Sequence, residues 1–264
     1  MTTVLRMTTK LALGVDIGGS GIKGALVDVE QGDFATDRLR IDTPAESTPD
    51  NVAAVVAEIV SNFADQLGDG PIGVTIPAIV LHGTTVSAAN IHPSWVNAPA
   101  EKIFEDALQR DVVLVNDADA AGVAEDKFGA AADNPGLVIV TTLGTGIGSA
   151  IIYRGVLVPN SELGHLEIDG YDAEKRAAAS VREREGLTWE EYVPRLQRYY
   201  ETVEFLFSPD LLVVGGGISK KAHKFLPHLK LRTPIVAAEL QNRAGIIGAA
   251  WLAIDKVSTR DPLR

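Results

Sequence analysis

Three segments of the chain place a glycine-rich turn directly after a run of apolar residues. They are residues 16–21 (DIGGSG), 143–148 (LGTGIG) and 215–219 (GGGIS). Glycine lets a backbone approach a ligand closely, and successive amides in such a turn can form a concave site for an anion. Each turn alone could equally close a hairpin and bind nothing. Together they favour a protein that holds phosphate groups.

The first turn carries two charged side chains that suit phosphate chemistry. Asp16 lies at the end of an apolar run, where burial of an unpaired carboxylate would be costly. A magnesium ion, bound directly or through water, would offset that cost. Lys23 lies on the strand predicted after the turn and could reach back to a phosphate. The alternative is that Asp16 caps the turn and that Lys23 is solvated.

Two common nucleotide-binding motifs do not fit these turns. Gly144, Gly146 and Gly148 lack the final spacing of the dinucleotide fingerprint, and a predicted strand follows them instead of a helix. The chain also lacks the terminal Gly-Lys-Ser/Thr of a P-loop. The pattern therefore predicts phosphate-binding turns that lie in hairpins.

The hydrophobic pattern predicts the strands that position these turns. Predicted strands cover residues 11–19, 22–29, 71–76, 112–116 and 211–214. Residues 84–95 read as mixed loop and strand, and residues 137–158 repeat the opening plan of strand, glycine turn and strand. Strands that alternate with helices predict an α/β fold with mostly buried sheets.

The predicted helices have recognisable starts. They cover residues 49–67, 101–109, 118–128, a segment after Thr188, a segment from Lys220, and about 243–254. Thr48 would cap the first helix, with Pro49 at its first position. Thr188 and Glu191 fit a capping box. The apolar stripe of the first helix would consist of Val52, Val55, Val56, Ile59 and Phe63.

Composition excludes several classes of protein. The chain has 264 residues, no cysteine and a net charge of −11. Without cysteine there are no disulfides, thiolate metal sites or thiol nucleophiles, which is compatible with a reducing cytoplasm. The negative charge argues against general nucleic-acid binding, and no apolar run reaches the roughly 18 residues that span a bilayer. We expect a cytoplasmic protein with neither a nucleic-acid nor a membrane partner.

Five motifs, in this order along the chain, carry a family resemblance. They are DIGGSGIKG (16–24), VNDADAAGVAE (115–125), TLGTGIGSA (142–150), ELGH (162–165) and VVGGGIS (213–219). The chain resembles the sugar kinases of the ROK family from about residue 11 to residue 254. The motif GGSGIKG, with its lysine, makes the chain most similar to the polyphosphate-using glucokinases and glucomannokinases of that family.

The resemblance implies a fold and an activity. The fold would have two ribonuclease-H-like lobes of the actin/hexokinase/Hsp70-like type, with the active site in the cleft between them. Residues 1–117, joined by a C-terminal helix at about 243–264, would form one lobe, and residues 118–242 the other. The activity would be transfer of phosphate from polyphosphate or ATP to the 6-hydroxyl of glucose, with mannose as a further acceptor. A strictly ATP-dependent hexokinase and a non-catalytic sugar sensor are the alternatives.

The resemblance also assigns the phosphate ligands. Asp16 would face a Mg²⁺ ion and the transferred phosphate. The other groups of the first phosphate turn would be Gly18, Gly19, Ser20, Gly21 and Lys23. The second phosphate loop would consist of Thr142, Gly144, Thr145 and Gly146, and the nucleoside would lie beside Gly215, Gly216 and Gly217. No cysteine follows the ELGH motif, so we expect no structural zinc.

The sugar site needs a base and several hydrogen-bonding groups. Asp117 follows a predicted strand and begins a predicted helix, which suits a base aimed at a primary hydroxyl in direct in-line transfer. Asp119 is the competing carboxylate, and we expect it to be a helix-start residue turned away from Asp117. The expected sugar ligands are Asn116, Asp117, Glu162, His165 and, from the resemblance, Glu174. Asn90 and Gly73 are weaker candidates.

The donor is the remaining question. Basic residues cluster after the third glycine turn, at Lys220, Lys221, Lys224, Lys230 and Arg232. They would hold a polyphosphate chain at the donor entrance, or else they form a solvated helix face. The sequence allows a monomer or a homodimer and does not rank glucose against mannose.

Overall fold

The computed structural model describes residues 10–88 and 91–260. Asn90, one of the weaker sugar-site candidates, lies outside the described residues. The chain forms two compact units. The first consists of Met1–Leu114 with Ala249–Arg264, and the second of Val115–Gly248. The expected division fell after residue 117 and before residue 243.

The first unit is built on a mixed sheet. Its strands are β1 (Leu11–Gly18), β2 (Gly21–Asp28), β3 (Asp33–Phe34), β4 (Leu39–Ile41), β5 (Ile72–Ile76) and β8 (Val113–Asn116), which leads into the second unit. The short strands β6 (Val80–Leu81) and β7 (Thr84–Thr85) pair with each other. The sheet order is β3-β2-β1-β5-β8, and β4 also pairs with β2. β1 and β2 are antiparallel, whereas β1 and β5 are parallel.

Two helices pack in the first unit, α1 (Pro49–Leu67) and α2 (Ala100–Leu108). Thr48 accepts a hydrogen bond from the Asn51 amide, and Pro49 occupies the first turn, so the predicted start of α1 is confirmed. The predicted apolar stripe of α1 is also confirmed. Its members pack into one core with β1, β2 and β5, and Val55 is the least buried of them.

The second unit repeats this plan. Its strands are β9 (Leu137–Leu143), β10 (Ile147–Tyr153), β11 (Val156–Val158), β12 (Glu167–Ile168), β13 (Tyr171–Asp172), β14 (Leu211–Gly215) and β15 (Ile235–Ala237). The main sheet has the order β11-β10-β9-β14-β15. As in the first unit, an antiparallel hairpin is followed by parallel strands. The repeat predicted from the sequence is therefore confirmed, because each unit continues its glycine hairpin with a parallel strand.

The helices of the second unit are α3 (Asp117–Phe128), α4 (Glu174–Ala177), α5 (Ala179–Arg184) and α6 (Trp189–Phe207). The capping box of α6, formed by Thr188 and Glu191, is confirmed. The helix predicted from Lys220 is a 3₁₀ helix, Gly217–Lys224, which begins three residues earlier than expected. Both the amide and the hydroxyl of Ser219 donate to the Gly216 carbonyl oxygen, which closes a four-residue turn, and Lys221 leaves helical geometry.

The last helix, α7 (Ala244–Arg260), contributes to both units. In the first unit, Gly73 of β5 lies directly against the backbone of Ala249, where a Cβ atom would stand 2.0 Å from the carbonyl oxygen. Further along, Lys256 pairs with Glu101 at 3.0 Å. Gly73 is thus a packing residue for α7. Among the described residues, no helix has both the length and the apolar character that membrane spanning requires.

We predict that Gly73→Ala destabilises the protein by about 1–3 kcal/mol, because the new methyl group has to displace the α7 backbone. Thermal or urea unfolding would measure the change. Gly19→Ala is the matched control, because no atom lies within 4 Å of the position its Cβ would take. Equal stability of the two variants would contradict this account of the β5–α7 contact.

Candidate active site

In the first unit, the charged pair of the opening hairpin is brought together by strand register. Asp16 and Lys23 face each other across β1 and β2, and their side chains meet at 3.4 Å. The second carboxylate oxygen of Asp16 accepts a hydrogen bond from the Thr75 hydroxyl at 3.0 Å. About a quarter of each charged side chain is exposed. Asp16 therefore keeps a polar face that a cation or a phosphate can reach.

The turn between β1 and β2 is open and has a second cation beside it. Gly19 and Ser20 are exposed. Arg40 of β4 donates a hydrogen bond to the Ser20 carbonyl oxygen at 2.7 Å and also pairs with Asp42. Thr43 donates to the carbonyl oxygen of Gly18, at the end of β1. The side chains of Arg40 and Thr43 thus fix the turn through its carbonyl oxygens, while the residues at its tip stay exposed.

In the second unit, Asn116 fixes the start of α3. Its side-chain oxygen accepts hydrogen bonds from the amides of Ala118 (2.8 Å) and Asp119 (3.1 Å), and only 7 % of the residue is exposed. Asp117 is the first residue of the helix and is half-buried, with one carboxylate oxygen 2.8 Å from the Ala118 amide. The Asp117 carboxylate therefore lies at the positive end of the α3 dipole.

Asp119 lies two residues further along α3 and is 1 % exposed. One of its carboxylate oxygens accepts a hydrogen bond from the Asn160 amide at 2.7 Å. The other is buried without a hydrogen-bond partner among the residues that the structure describes. Burial raises the pKa of Asp119 to about 7, and the nearby carboxylates of Glu162 and Asp117 act in the same direction.

The predicted residues Glu162, His165 and Glu174 are brought into one acidic neighbourhood. Burial raises the pKa of Glu162, and the charge of Glu174 adds to that effect, whereas His165 opposes it. His165 is hydrogen-bonded through Nδ1 to Asp172 at 3.0 Å, and this bond raises its pKa. Ligand atoms of His165, Asp172 and Glu174 lie within 4.8 Å of one another.

Glu174 also links this neighbourhood to the second glycine loop. Its carboxylate accepts a hydrogen bond from the Ile147 amide at 3.2 Å, and its own amide donates to Asp172. Asp172 therefore positions both His165 and Glu174. Sequence reasoning missed it. The available signal was its place two residues before Glu174, where an aspartate can accept from the first turn of a helix.

The second and third glycine turns approach each other in the second unit. Gly215 is the register partner of Thr142, and Gly216, at a φ of 77°, lies so close to the Leu143 backbone that a Cβ would be 2.4 Å from its carbonyl oxygen. A cavity of about 300 Å³ adjoins both turns. Its lining includes Gly144, Thr145, Ser180, Arg182, Trp189, Gly217 and Lys221.

Three of these lining residues were not predicted. Ser180 donates to the Thr145 carbonyl oxygen at 2.6 Å and through its amide to that of Gly144, which fixes the second loop. The Arg182 guanidinium lies over the Trp189 ring, 4.0 Å from its centroid. Its Nε is buried without a hydrogen-bond partner within the described part of the chain. The cavity lining thus combines two cations, Arg182 and Lys221, with the carboxylate of Glu183 and the Trp189 ring.

The basic cluster is divided by the structure. Lys221 is exposed and lines the cavity. Arg232 pairs with Glu204 at 3.3 Å, and the backbone of Lys230 bonds with the Gln197 side chain. Lys220 and Lys224 are exposed and do not appear in the cavity lining. Of the five predicted basic residues, Lys221 is therefore the one placed beside the glycine turns.

Two mixed sheets of the same plan, each opened by a glycine hairpin, define the class of fold. A ROK family glucokinase from Streptomyces griseus, solved with glucose and AMPPNP, superposes with a TM-score of 0.79 at 23 % identity over 93 % of this chain and 99 % of its own. A ROK hexokinase from Thermus thermophilus gives a TM-score of 0.74 at 24 % identity, covering 94 % and 99 % of the two chains. The chain thus has the actin/hexokinase-like fold that the resemblance implied.

The chain belongs to the ROK family, whose model matches residues 12–179. It is 46 % identical over 248 residues to a polyphosphate glucokinase of Mycobacterium tuberculosis (strain ATCC 25618 / H37Rv), covering 94 % of this chain and 92 % of that protein. The inorganic polyphosphate/ATP-glucomannokinase from Arthrobacter sp. strain KM is 52 % identical, with a TM-score of 0.89, covering 93 % and 99 % of the two chains. The predicted similarity to the polyphosphate-using members is confirmed.

We predict that Asp119→Asn changes the pH dependence of stability. The unfolded chain releases the Asp119 proton near its ordinary pKa of 3.8, whereas the folded protein holds it to about pH 7. The raised pKa of Asp119 therefore adds to the free energy of unfolding below about pH 4, and this contribution is lost as the pH rises towards 7. Asparagine imitates the neutral carboxyl, so the melting temperature of the variant relative to wild type should rise from about pH 5 to about pH 8.

The control is Asp133→Asn, at an exposed position with a φ of 65° that asparagine also adopts. Its melting temperature should follow wild type at every pH. A constant difference between Asp119→Asn and wild type over this range would contradict the raised pKa.

Proposed function

We propose that this chain is a kinase that transfers a phosphoryl group from inorganic polyphosphate or ATP to the 6-hydroxyl of glucose, and also of mannose. The observation that carries the proposal is the position of Asp117, half-buried at the first turn of α3 next to the buried amide of Asn116. The substrates are inferred from the names of the relatives, a polyphosphate glucokinase and a polyphosphate/ATP-glucomannokinase.

Asp117 is the general base in this proposal. Its carboxylate accepts the proton of the 6-hydroxyl as the sugar oxygen bonds to the terminal phosphorus of the donor. The bond from that phosphorus to the bridging oxygen breaks in the same displacement. The products are the sugar 6-phosphate and either ADP or a polyphosphate shorter by one phosphate, and the proton passes from Asp117 to solvent.

The sugar ligands come from α3 and from the neighbourhood of His165. Asn116, Glu162, His165 and Glu174 offer the donors and acceptors that bind ring hydroxyls. Glu174 accepts a hydrogen bond from the Ile147 amide beside the second glycine loop, so the same residue can connect the sugar site to the phosphate loop. Asp172 positions His165 and Glu174 and need not contact the sugar itself.

The phosphate ligands come from the glycine turns. Lys23 and the turn at Gly18, Gly19, Ser20 and Gly21 offer a cation and backbone amides, and Thr142, Gly144, Thr145 and Gly146 form the second set. Asp16 has a partly exposed carboxylate and suits Mg²⁺, which prefers oxygen ligands. When bound, the metal would neutralise phosphate charge. Arg40 adds a cation beside the first turn.

The cavity between the second and third glycine turns is the proposed donor site. Arg182, Lys221 and the loop amides suit a chain of phosphates, while Trp189 and Gly217 provide a surface for a nucleoside. The strictly ATP-dependent alternative uses the same cavity. Initial rates with purified ATP and purified polyphosphate distinguish these two readings. The cytoplasmic location and the choice between monomer and homodimer stay predictions.

We predict that Asp117→Asn lowers the turnover number by roughly 10²- to 10⁴-fold, because the amide cannot accept the hydroxyl proton. Glucose binding, measured by calorimetry without donor, should stay within a few-fold of wild type. Asp133→Asn serves as the control and should keep full turnover. If the chain is a sugar sensor, the wild type and both variants will have no kinase activity. Full activity of Asp117→Asn would show that this residue is not the base.

We predict that Lys221→Glu raises the KM for polyphosphate by about tenfold or more, because it places a negative charge in the donor cavity. The matched control is Lys224→Glu, which makes the same charge change at an exposed lysine outside the cavity lining. Steady-state kinetics with polyphosphate at saturating glucose measures both. Equal effects of the two reversals would indicate general charge repulsion and no specific contact at Lys221.

A further inference from the structure

Asp119 has an unusual place for a residue in the first turn of a helix. Such residues commonly cap the helix that they begin. In α3, however, Asn116 already accepts hydrogen bonds from the amides of Ala118 and Asp119. The Asp119 side chain instead bonds to a residue 41 positions away, the amide of Asn160. Its role therefore lies outside its own helix.

We infer that Asp119 is a positioning residue for the sugar site, because its bond to the Asn160 amide fixes Glu162 relative to the helix that carries Asp117. This inference rests on the proposed role of Glu162 as a sugar ligand. The sequence expectation that Asp119 is only a helix-start residue does not account for the Asn160 contact.

The segment before and after Glu162 is anchored from two elements. On one side, Asn160 is held by Asp119 of α3 and adopts a φ of 60°, in the left-handed region. On the other side, Ser149 of β10 donates to the Ser161 carbonyl oxygen at 2.7 Å and accepts from the Leu163 amide at 2.9 Å. Glu162 lies between these anchors, and the Asp119 bond is the contact that ties its segment to α3.

The electrostatic setting agrees with this geometry. The charges of Glu162 and Asp117 both raise the pKa of Asp119, which means that each of these carboxylates lies near Asp119. Below its pKa of about 7, Asp119 is neutral and adds no negative charge to the site. It still accepts the Asn160 hydrogen bond through its carbonyl oxygen, and an asparagine at this position could accept it in the same way.

The test compares Asp119→Ala with Asp119→Asn in the full-length protein. The alanine variant loses the bond to Asn160, whereas the asparagine variant keeps an acceptor. We expect Asp119→Ala to raise the KM for glucose by about tenfold, with kcat within about threefold of wild type. Asp119→Asn should restore a KM close to wild type. A residue needed only for folding would not produce this separation of KM from kcat with rescue by the conservative variant.

Amide hydrogen exchange provides a readout that does not depend on activity. Protection of a peptide containing residues 160–162 should fall in Asp119→Ala and persist in Asp119→Asn. If Asp119→Ala fails to fold, as judged by its melting transition, Asp119→Ser replaces it, because the shorter hydroxyl does not reach Asn160. Unchanged protection and unchanged KM in the variant that folds would overturn the inference.

A parallel measurement on Glu162→Gln separates this inference from the proposed function. If Glu162→Gln raises the KM for glucose and Asp119→Ala does not, the positioning role of Asp119 is wrong while the sugar site stands. If Glu162→Gln leaves glucose binding and KM unchanged, Glu162 is not a sugar ligand, and the inference falls with it. A raised KM in both variants, with rescue by Asp119→Asn, supports both.

Discussion

The side chain of Asn116 is the constraint on which the candidate sugar site depends. It is buried where β8 ends, and it satisfies two amides that would otherwise have no partner inside the helix. With that role filled by Asn116, neither Asp117 nor Asp119 is required as the cap. Asp117 stays half-buried and available for chemistry, and Asp119 can turn to the segment that carries Glu162. One amide side chain therefore determines what two neighbouring carboxylates can do.

The two sheets support their glycine turns with different interactions. In each, a hairpin turn supplies backbone amides and a neighbouring parallel strand supports it. In the first unit the turn is accompanied by charge, from Asp16, Lys23 and Arg40. In the second unit the turn is supported by close packing. Gly216 packs against the Leu143 backbone, and Ser180 donates a hydrogen bond to the Thr145 carbonyl oxygen of the loop.

Local signals predicted much of this structure. The cap at Thr48, the capping box at Thr188 and the strands before each glycine turn depend on residues within a few positions of one another. The contacts that sequence reasoning missed have a different origin. Asp119 meets Asn160, Arg40 meets Ser20, and Thr75 meets Asp16, each through folding of distant segments.

The 3₁₀ turns at Gly217–Lys224 show a second limit of sequence reasoning. A helical pattern of lysines and apolar residues does not reveal that the Gly216 carbonyl oxygen is taken up by Ser219. This local competition places Lys221 in a non-helical conformation beside the cavity. Of the five basic residues that follow the third glycine turn, Lys221 is therefore the one in the cavity lining, where it joins Arg182.

The division of α7 between the two units has a consequence for synthesis on the ribosome. The strands of the first unit are made first, but the helix turn that packs on Gly73 is made only after the strands of both units. Until then, the backbone at Gly73 lacks its natural cover, while the second unit already has nearly all of its residues. The half of the protein that is translated first is therefore completed last. A nascent chain is expected to leave this face of β5 open to chaperones until the second unit has been made.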